Sequence, residues 1–186
     1  MKKNLFIARP YVLFVLLLTS LMIFSACASK PKFEGNAELC GLIIDENNSP
    51  VKDFVVYCKS DSNPLLSISP VITNDGGMFV FFNLPSGRYK ISGEKTNYLK
   101  ILKIPYNFYD RSKILCLQTK TFKAALSNAE ELIRLGERKS AAEILDSICC
   151  EKKTEEKKLI SAYKVFTLEE GKKKDRAVKK LKEVNK

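Results

Sequence analysis

Between residues 37 and 118 the chain is cut into seven short apolar runs, AELCGLII, DFVVYCK, SPVIT, MFVFF, GRYKIS, YLKILKI and SKILCLQ. Turn sequences such as NNSP, SDSNP, NDGG and LPSG stand between them. Runs of this length bounded by Gly, Pro, Asn and Asp are strand signals, and seven of them with no competing helical period predict an antiparallel β-sandwich. The run from Met78 to Phe82 sits between a double glycine and a Pro-Ser-Gly. It is too short for a helix that supports itself, so it reads as one buried strand between two tight turns. Phe79, Phe81, Tyr89 and Ile91 alternate onto one face and are expected to fill the space between the sheets.

The positions between those inward residues are also apolar. Leu42, Ile44, Val55, Tyr57, Met78, Val80 and Phe82 all point outward by the same alternation. Seven such side chains left in water would make a patch larger than soluble monomers usually carry. They are therefore expected to form an interdomain face, covered by the helical part of the chain or, in its absence, by a partner protein.

From Thr121 the apolar period changes to about 3.6 residues. Phe122, Ala125, Leu126, Ala129, Leu132 and Ile133 fall on one helix face, and Gly136 is placed to close the end. Ser140-Ala141-Ala142-Glu143 has the form of a capping box opening a second helix, with Ile144, Leu145 and Ile148 inward. Thr154 can cap a third helix carrying Leu159, Tyr163 and Phe166, and a fourth would carry Ala177, Leu181 and Val184. The fold class expected is thus α+β in two parts: an antiparallel seven-stranded β-sandwich followed by about four α-helices in two hairpins.

At 186 residues and 45% hydrophobic, the chain can bury the core of one ordinary domain plus a smaller unit. It contains no histidine and no tryptophan. A Ser-His-Asp or Cys-His pair cannot be assembled, and histidine-based zinc sites are excluded. Asp45, Asp75 and Asp110 remain as carboxylates, but their positions in turns read as structural. No catalytic residue, metal or cofactor is assigned, and the chain is not expected to be an enzyme. Besides Cys27 there are Cys40, Cys58, Cys116, Cys149 and Cys150, an odd set whose disulfide state the sequence leaves open. Cys58 and Cys116 lie in apolar strand contexts that suit buried free thiols, and the adjacent Cys149 and Cys150 lack the Cys-x-x-Cys redox spacing.

The N-terminus is an address. Lys2, Lys3 and Arg9 precede the apolar stretch YVLFVLLLTSLMIF, and Ser25-Ala26-Cys27 follows it. Residues 1–26 resemble a bacterial lipoprotein signal peptide. That resemblance implies diacylglyceryl transfer to the sulfur of Cys27, fatty acylation of the new N-terminus, and forwarding to the outer membrane where the cell has one. Pro10 to Ala28 is also just long enough to serve as an uncleaved membrane anchor. In both cases the rest of the chain is exported and tethered to the envelope. The formal net charge of +11 is then read in that setting. Its densest part, GKKKDRAVKKLKEVNK, is expected to be a solvated helix face with weak attraction for an anionic membrane surface, and nucleic acid is not an expected partner.

Two stretches carry a further resemblance. GLIIDENNSPVKDFVV (Gly41 to Val56) and TNDGGMFVFFNLPSGRYKIS (Thr73 to Ser92) resemble the two motifs of the carboxypeptidase regulatory-like domain, a transthyretin-like β-sandwich. Gly41, Ile43, Asp45, Pro50, Phe54 and Val56 fill the first motif. Thr73, Gly77, Phe79, Phe81, Leu84, Pro85, Gly87 and Tyr89 fill the second without a gap. The resemblance implies a non-catalytic accessory module in which these residues are scaffold. Farther on, Gly136 followed by Ala141, Leu145 and Ile148 parallels Gly171 followed by Ala177, Leu181 and Val184, and this resembles tetratricopeptide repeats. A plain helical appendage leaning on the sandwich is the alternative.

The expected organisation is a signal peptide over 1–26, a linker with lipidated Cys27 over 27–36, the regulatory-like sandwich over 37–118 and the tetratricopeptide-like helices over 119–186. The expected function is binding or scaffolding by a membrane-anchored envelope lipoprotein with a protein partner. The alternative is capture of a carbohydrate or peptide by the loops at one end of the sandwich.

Overall fold

Each of the seven apolar runs contributes a strand in the computed structural model, which describes residues 32–151, 154–168, 176 and 179. The strands are β1 (Asn36–Ile44), β2 (Val55–Ser60), β3 (Val71–Ile72), β4 (Met78–Pro85), β5 (Gly87–Glu94), β6 (Ile101–Phe108) and β7 (Leu115–Gln118). They form a three-stranded sheet in the order β4-β1-β7 and a four-stranded sheet in the order β3-β2-β5-β6. The side chains between the sheets are Leu39, Ile43, Phe54, Val56, Phe79, Phe81, Leu84, Tyr89, Ile91 and their neighbours, all of them buried. Burial of this kind stabilises by about 1.5 to 3 kcal/mol for each large side chain, and it fixes which face of every strand points in.

The matched motif residues have identifiable work in this frame. Gly77 has φ +70°, and a Cβ there would lie 2.6 Å from the Ile43 carbonyl oxygen. Gly41 lies under the Phe79 ring, where a Cβ would come within 2.1 Å of Cζ. The buried Thr73 hydroxyl donates to the Val51 carbonyl (2.6 Å) and accepts from the Phe54 amide (2.9 Å), pinning the approach to β2. The Tyr89 hydroxyl donates to the Pro85 carbonyl (2.6 Å), which braces the turn between β4 and β5.

Two expectations about the fold class are corrected. The sandwich is not purely antiparallel: β1 pairs with β7 in parallel, Gly41 facing Leu115 through Ile44 facing Gln118, while the other four pairings are antiparallel. The reason is parity. Strand β4 runs against β1, and short turns reverse the chain from β4 to β5, to β6 and to β7, so β7 arrives running the same way as β1. Alternation along a strand specifies which face is buried and says nothing of the neighbour's direction.

The second correction concerns the helices. Three are present among the described residues, and not about four in two hairpins: α1 (Phe122–Arg134), α2 (Arg138–Ser147) and α3 (Glu155–Thr167). The expected fourth helix, with Ala177, Leu181 and Val184, and with it the second of the two parallel units, lies outside the described residues. Thr121 caps α1 and Thr154 caps α3, each hydroxyl accepting from the amide three residues on. The capping box at Ser140 is not used. Gly136, at φ +81°, closes α1 so tightly that α2 starts at Arg138, which places Ser140 inside the first turn of the helix. In α3 the inward residues are Ile160 and Val165, while Leu159 and Phe166 are exposed. The three helices share a second apolar cluster of Ala125, Leu126, Ala129, Leu145, Ile148 and Ile160.

Candidate interaction surface

The helical segment joins the sandwich along one short strip, residues 97–100, between β5 and β6. The Leu99 amide donates to the Lys120 carbonyl (2.8 Å), the Lys100 amide to Ser147 (2.8 Å), and the Cys149 amide to Tyr98 (2.9 Å). Glu46 adds a side-chain tether: its Oε1 accepts from the Thr121 hydroxyl (2.5 Å) and its Oε2 from the Thr121 amide (2.9 Å). Burial pushes the Glu46 carboxyl up, but these hydrogen bonds outweigh it and hold the group below its ordinary value. Occupation of this strip by the helices also explains why β6 begins at Ile101 and not at Tyr98. An open cavity of about 770 Å³ lies between α2 and the adjoining strand edges, with Leu102, Ile104 and Leu117 facing Ser140, Glu143 and Ile144.

The seven residues expected to make one interdomain face do not lie together. Leu42, Ile44, Met78, Val80 and Phe82 belong to β1 and β4 of the three-stranded sheet, whereas Val55 and Tyr57 belong to β2 of the four-stranded sheet. The two groups are on opposite outer surfaces of the sandwich, because the register turns the alternate residues of both strand sets toward the shared core. Tyr57 is surrounded by polar groups. Its hydroxyl lies 3.3 Å from Glu94, which also pairs with Lys100 at 2.8 Å. The hydrogen bond from Lys100 holds the Glu94 carboxyl below its usual range, and burial, reinforced by Glu94, raises the Tyr57 hydroxyl.

The five residues of the three-stranded sheet do form one surface. Met78 stands opposite Leu42, Val80 opposite Cys40, and Leu42 opposite Cys116 on its other side. Phe82 is 72% exposed and Met78 55%. The same alternation adds Cys40, Cys116 and, just before β7, Ile114 at 65% exposure. From Cys40 to Ile44, Met78 to Phe82 and Ile114 to Gln118 no charged residue occurs, and the exposed Glu38 of β1 bounds the patch at the Phe82 end. Cys40, Ile114 and Cys116 were not among the expected face residues. The signal for them was present as i, i+2 spacing from Leu42 and within β7, but cysteine reads first as a bonding or redox residue.

Cys27 lies outside the described residues. Cys58 is buried, and burial pushes its thiol up to about 12. Cys116 is exposed, and the five described cysteines are unbridged. Each of the three candidate carboxylates serves its own neighbourhood: Asp45 accepts from the Asn47 and Ser49 amides, Asp110 from Ser112, and Asp75 pairs with Lys52. Among the described residues no three His, Cys, Asp or Glu side chains gather to hold a metal ion, and no helix is long and apolar enough to cross a membrane.

No protein-family model matches the chain, and no curated protein does. Solved structures resemble parts of it. The TIE protein of Bacillus anthracis is 20% identical over 47% of this chain and 17% of its own, with a TM-score of 0.38. The major pilin subunit BcpA of Bacillus cereus is 15% identical over 47% of this chain and 30% of its own, at 0.38. A type II cohesin–X-dockerin complex from Acetivibrio cellulolyticus is 17% identical over 46% of this chain and 58% of the matched one, at 0.33. The chain spans less than a third of the length of the first two. At these TM-scores the likenesses carry no argument about what the chain does.

Proposed function

We infer that this is an exported, lipid-anchored protein of the cell envelope whose sandwich is a carboxypeptidase regulatory-like module acting by non-catalytic protein docking. The observation that carries the docking role is the outer face of β4-β1-β7, where Met78, Val80, Phe82 and Ile114 stand toward water with no described helix over them and Glu38 is the charged residue at the end of the patch. Support for the regulatory-like reading comes from the work done by its motif residues, above all the Gly77 turn, the Thr73 pin and the Tyr89 brace. Support for export and tethering comes from the apolar N-terminal stretch ending in Cys27. The helical segment is held through residues 97–100 and Glu46 and leaves Met78 and Phe82 exposed. Capture of a carbohydrate or peptide by the loops is the weaker reading, since the aromatic pairs of the sandwich, Phe33 with Phe108 and Phe79 with Phe81, include its buried core residues.

The test places a photo-crosslinking amino acid at Phe82 or at Lys59 in the full chain within its native envelope. Protein adducts from position 82, with few from 59, are the expected result. Equal adduct formation from both positions, or none from 82, would refute docking at this face. Mass analysis of the N-terminal peptide in the same preparation should find acyl chains on Cys27, and an intact Met1 would refute the anchor.

A further inference from the structure

We propose that one end of the sandwich, made by the turn between β4 and β5 and the loops that follow β2 and β6, docks on the surface of an anionic bilayer, an inference that rests on the lipid anchor assigned to Cys27 above. The tether is the first argument. Phe33 is held at this end: its ring meets Phe108 edge-on with centroids 5.0 Å apart, and its amide donates to the Tyr109 carbonyl (3.2 Å). The chain stays pinned there, because the Ser86 amide donates to the Gly35 carbonyl (2.8 Å) and the Asn36 side chain to that of Asn83 (3.0 Å). Cys27 is six residues before Phe33, a reach of at most about 20 Å when fully extended. Strand β5, Gly87–Glu94, runs about 25 Å from this end to the other. A lipidated Cys27 therefore keeps this end near the headgroups. The opposite end, where Glu46 and residues 97–100 fasten the helices, cannot replace it by turning over.

Charge is the second argument, because the ends of the sandwich differ in sign. At the tethered end Lys32, Lys59, Arg88, Lys90, Arg111 and Lys113 outnumber Glu34, Glu38, Asp61 and Asp110. Two of those carboxylates are already engaged: Asp61 pairs with Lys90 at 2.7 Å, and Asp110 accepts from the Ser112 amide and hydroxyl. At the other end Asp45, Glu46, Asp53, Asp75 and Glu94 outnumber Lys52, Lys95, Lys100 and Lys103. An anionic surface thus attracts the end that the tether already presents to it. The third argument is Leu65, which is 94% exposed. Its turn is fixed at the tethered end, since Ser60 stands opposite Tyr89, the Asn63 amide donates to the Ser60 hydroxyl (3.0 Å) and the Leu65 amide to the Asn63 side chain (3.2 Å). Leu66 packs against the core while Leu65 stays in water. An apolar side chain on a held turn, with exposed Arg88 and Arg111 at the same end, has the chemistry of shallow insertion between anionic headgroups.

The chain contains no tryptophan, so a single introduced indole reports on its own position. The full lipidated chain carrying Leu65→Trp should be reconstituted in vesicles of phosphatidylglycerol and phosphatidylethanolamine with brominated acyl chains. Its emission should fall roughly twofold or more relative to unbrominated vesicles, as for a side chain seated about 5 to 10 Å into the headgroup boundary. Asp75→Trp, at the other end of the sandwich, should keep its emission. Adding Arg111→Glu and Lys113→Glu to the Leu65→Trp chain should restore emission while the protein still floats with the vesicles. All four positions are exposed, so denaturant midpoints of the variants should match that of the parent. Equal quenching at positions 65 and 75, or none at 65 in a chain that floats, would overturn the docked end and leave the anchor standing. A chain that does not float with the vesicles would overturn the anchor and the proposal with it.

Discussion

Strands β4 and β5 are joined through a single residue, Ser86, yet their outward positions have opposite chemistry. On β4 the outward residues are Met78, Val80 and Phe82; on β5 they are Arg88, Lys90, Ser92 and Glu94, with Lys90 paired to Asp61 at 2.7 Å and Glu94 to Lys100. The inward residues of the two strands, Phe79, Phe81 and Leu84 on β4 and Tyr89, Ile91 and Gly93 on β5, are all buried. The two sheets therefore share one folding logic and differ in what they offer to the outside. One outer face sets Lys59, Arg88 and Lys90 among apolar residues such as Ile72, and the other is mainly apolar around Met78, Val80 and Phe82 with Glu38 at its end. Selection for folding explains the inward half of both strands, and it does not explain the outward half of β4.

The largest effect that sharpens this contrast is expected from two adjacent phenylalanines. Phe81→Ala should cost about 3 to 5 kcal/mol in denaturant unfolding, since it empties a packed position between the sheets. Phe82→Ala, one residue on, should change stability by less than about 0.5 kcal/mol. A comparable cost at Phe82 would mean that the face is buried within the monomer.

Two thiols give the next contrast. The buried Cys58 is held neutral up to about pH 12, whereas in the unfolded chain it ionises near its ordinary value of 9.0. Its folded pKa is raised, so its contribution is intact below pH 9 and is lost as pH rises toward 12. Over that window the loss amounts to about 1.4 kcal/mol per pH unit from this group. Cys58→Ala should flatten the alkaline limb of the stability profile, although its stability at neutral pH will fall. Cys116→Ala should cost little stability at neutral pH, because Cys116 stands outside the core.

Smaller effects separate the two buried hydroxyls of the four-stranded sheet. Tyr89→Phe removes the hydrogen bond to Pro85 and should cost about 1 kcal/mol. The Tyr106 hydroxyl is buried without a hydrogen-bond partner among the described residues, so Tyr106→Phe should be neutral or stabilising by calorimetry. The smallest effect concerns the helical tether. Glu46 has a lowered folded pKa, so its contribution is present above the ordinary value of 4.5 and is lost as pH falls below it. The protection factor of the Thr121 amide should fall in acid, and Glu46→Ala should produce the same fall at neutral pH with the core of the sandwich unchanged.

Local features of this fold were legible in the sequence. The seven runs, the inward alternation at Phe79, Phe81, Tyr89 and Ile91, the Gly77 turn and the threonine caps at 121 and 154 all depend on residues a few positions apart. What escaped was set by distant contacts. Val55 and Tyr57 looked like Leu42 and Met78 because alternation assigns a side and not a sheet. The parallel β1/β7 pair follows from the number of reversals between strands more than 70 residues apart along the chain. The helices, for their part, were expected on the apolar face for lack of any local sign that residues 97–100 would hold them. Even the Ser140 capping box was a valid local pattern, overridden by the tight closure at Gly136.

The central claim, that the β4-β1-β7 face is covered when the protein is at work, is most directly tested at Met78, the one methionine beyond residue 22. Its oxidation by hydroxyl radicals should be measured in the native envelope and again after solubilisation and dilution, with Tyr57 on the other face as the internal reference. Protection of Met78 in the envelope that disappears on dilution, with Tyr57 labelled equally in both, is the predicted result. Equal oxidation of Met78 in both states would contradict the account and leave the face an open surface with no occupant.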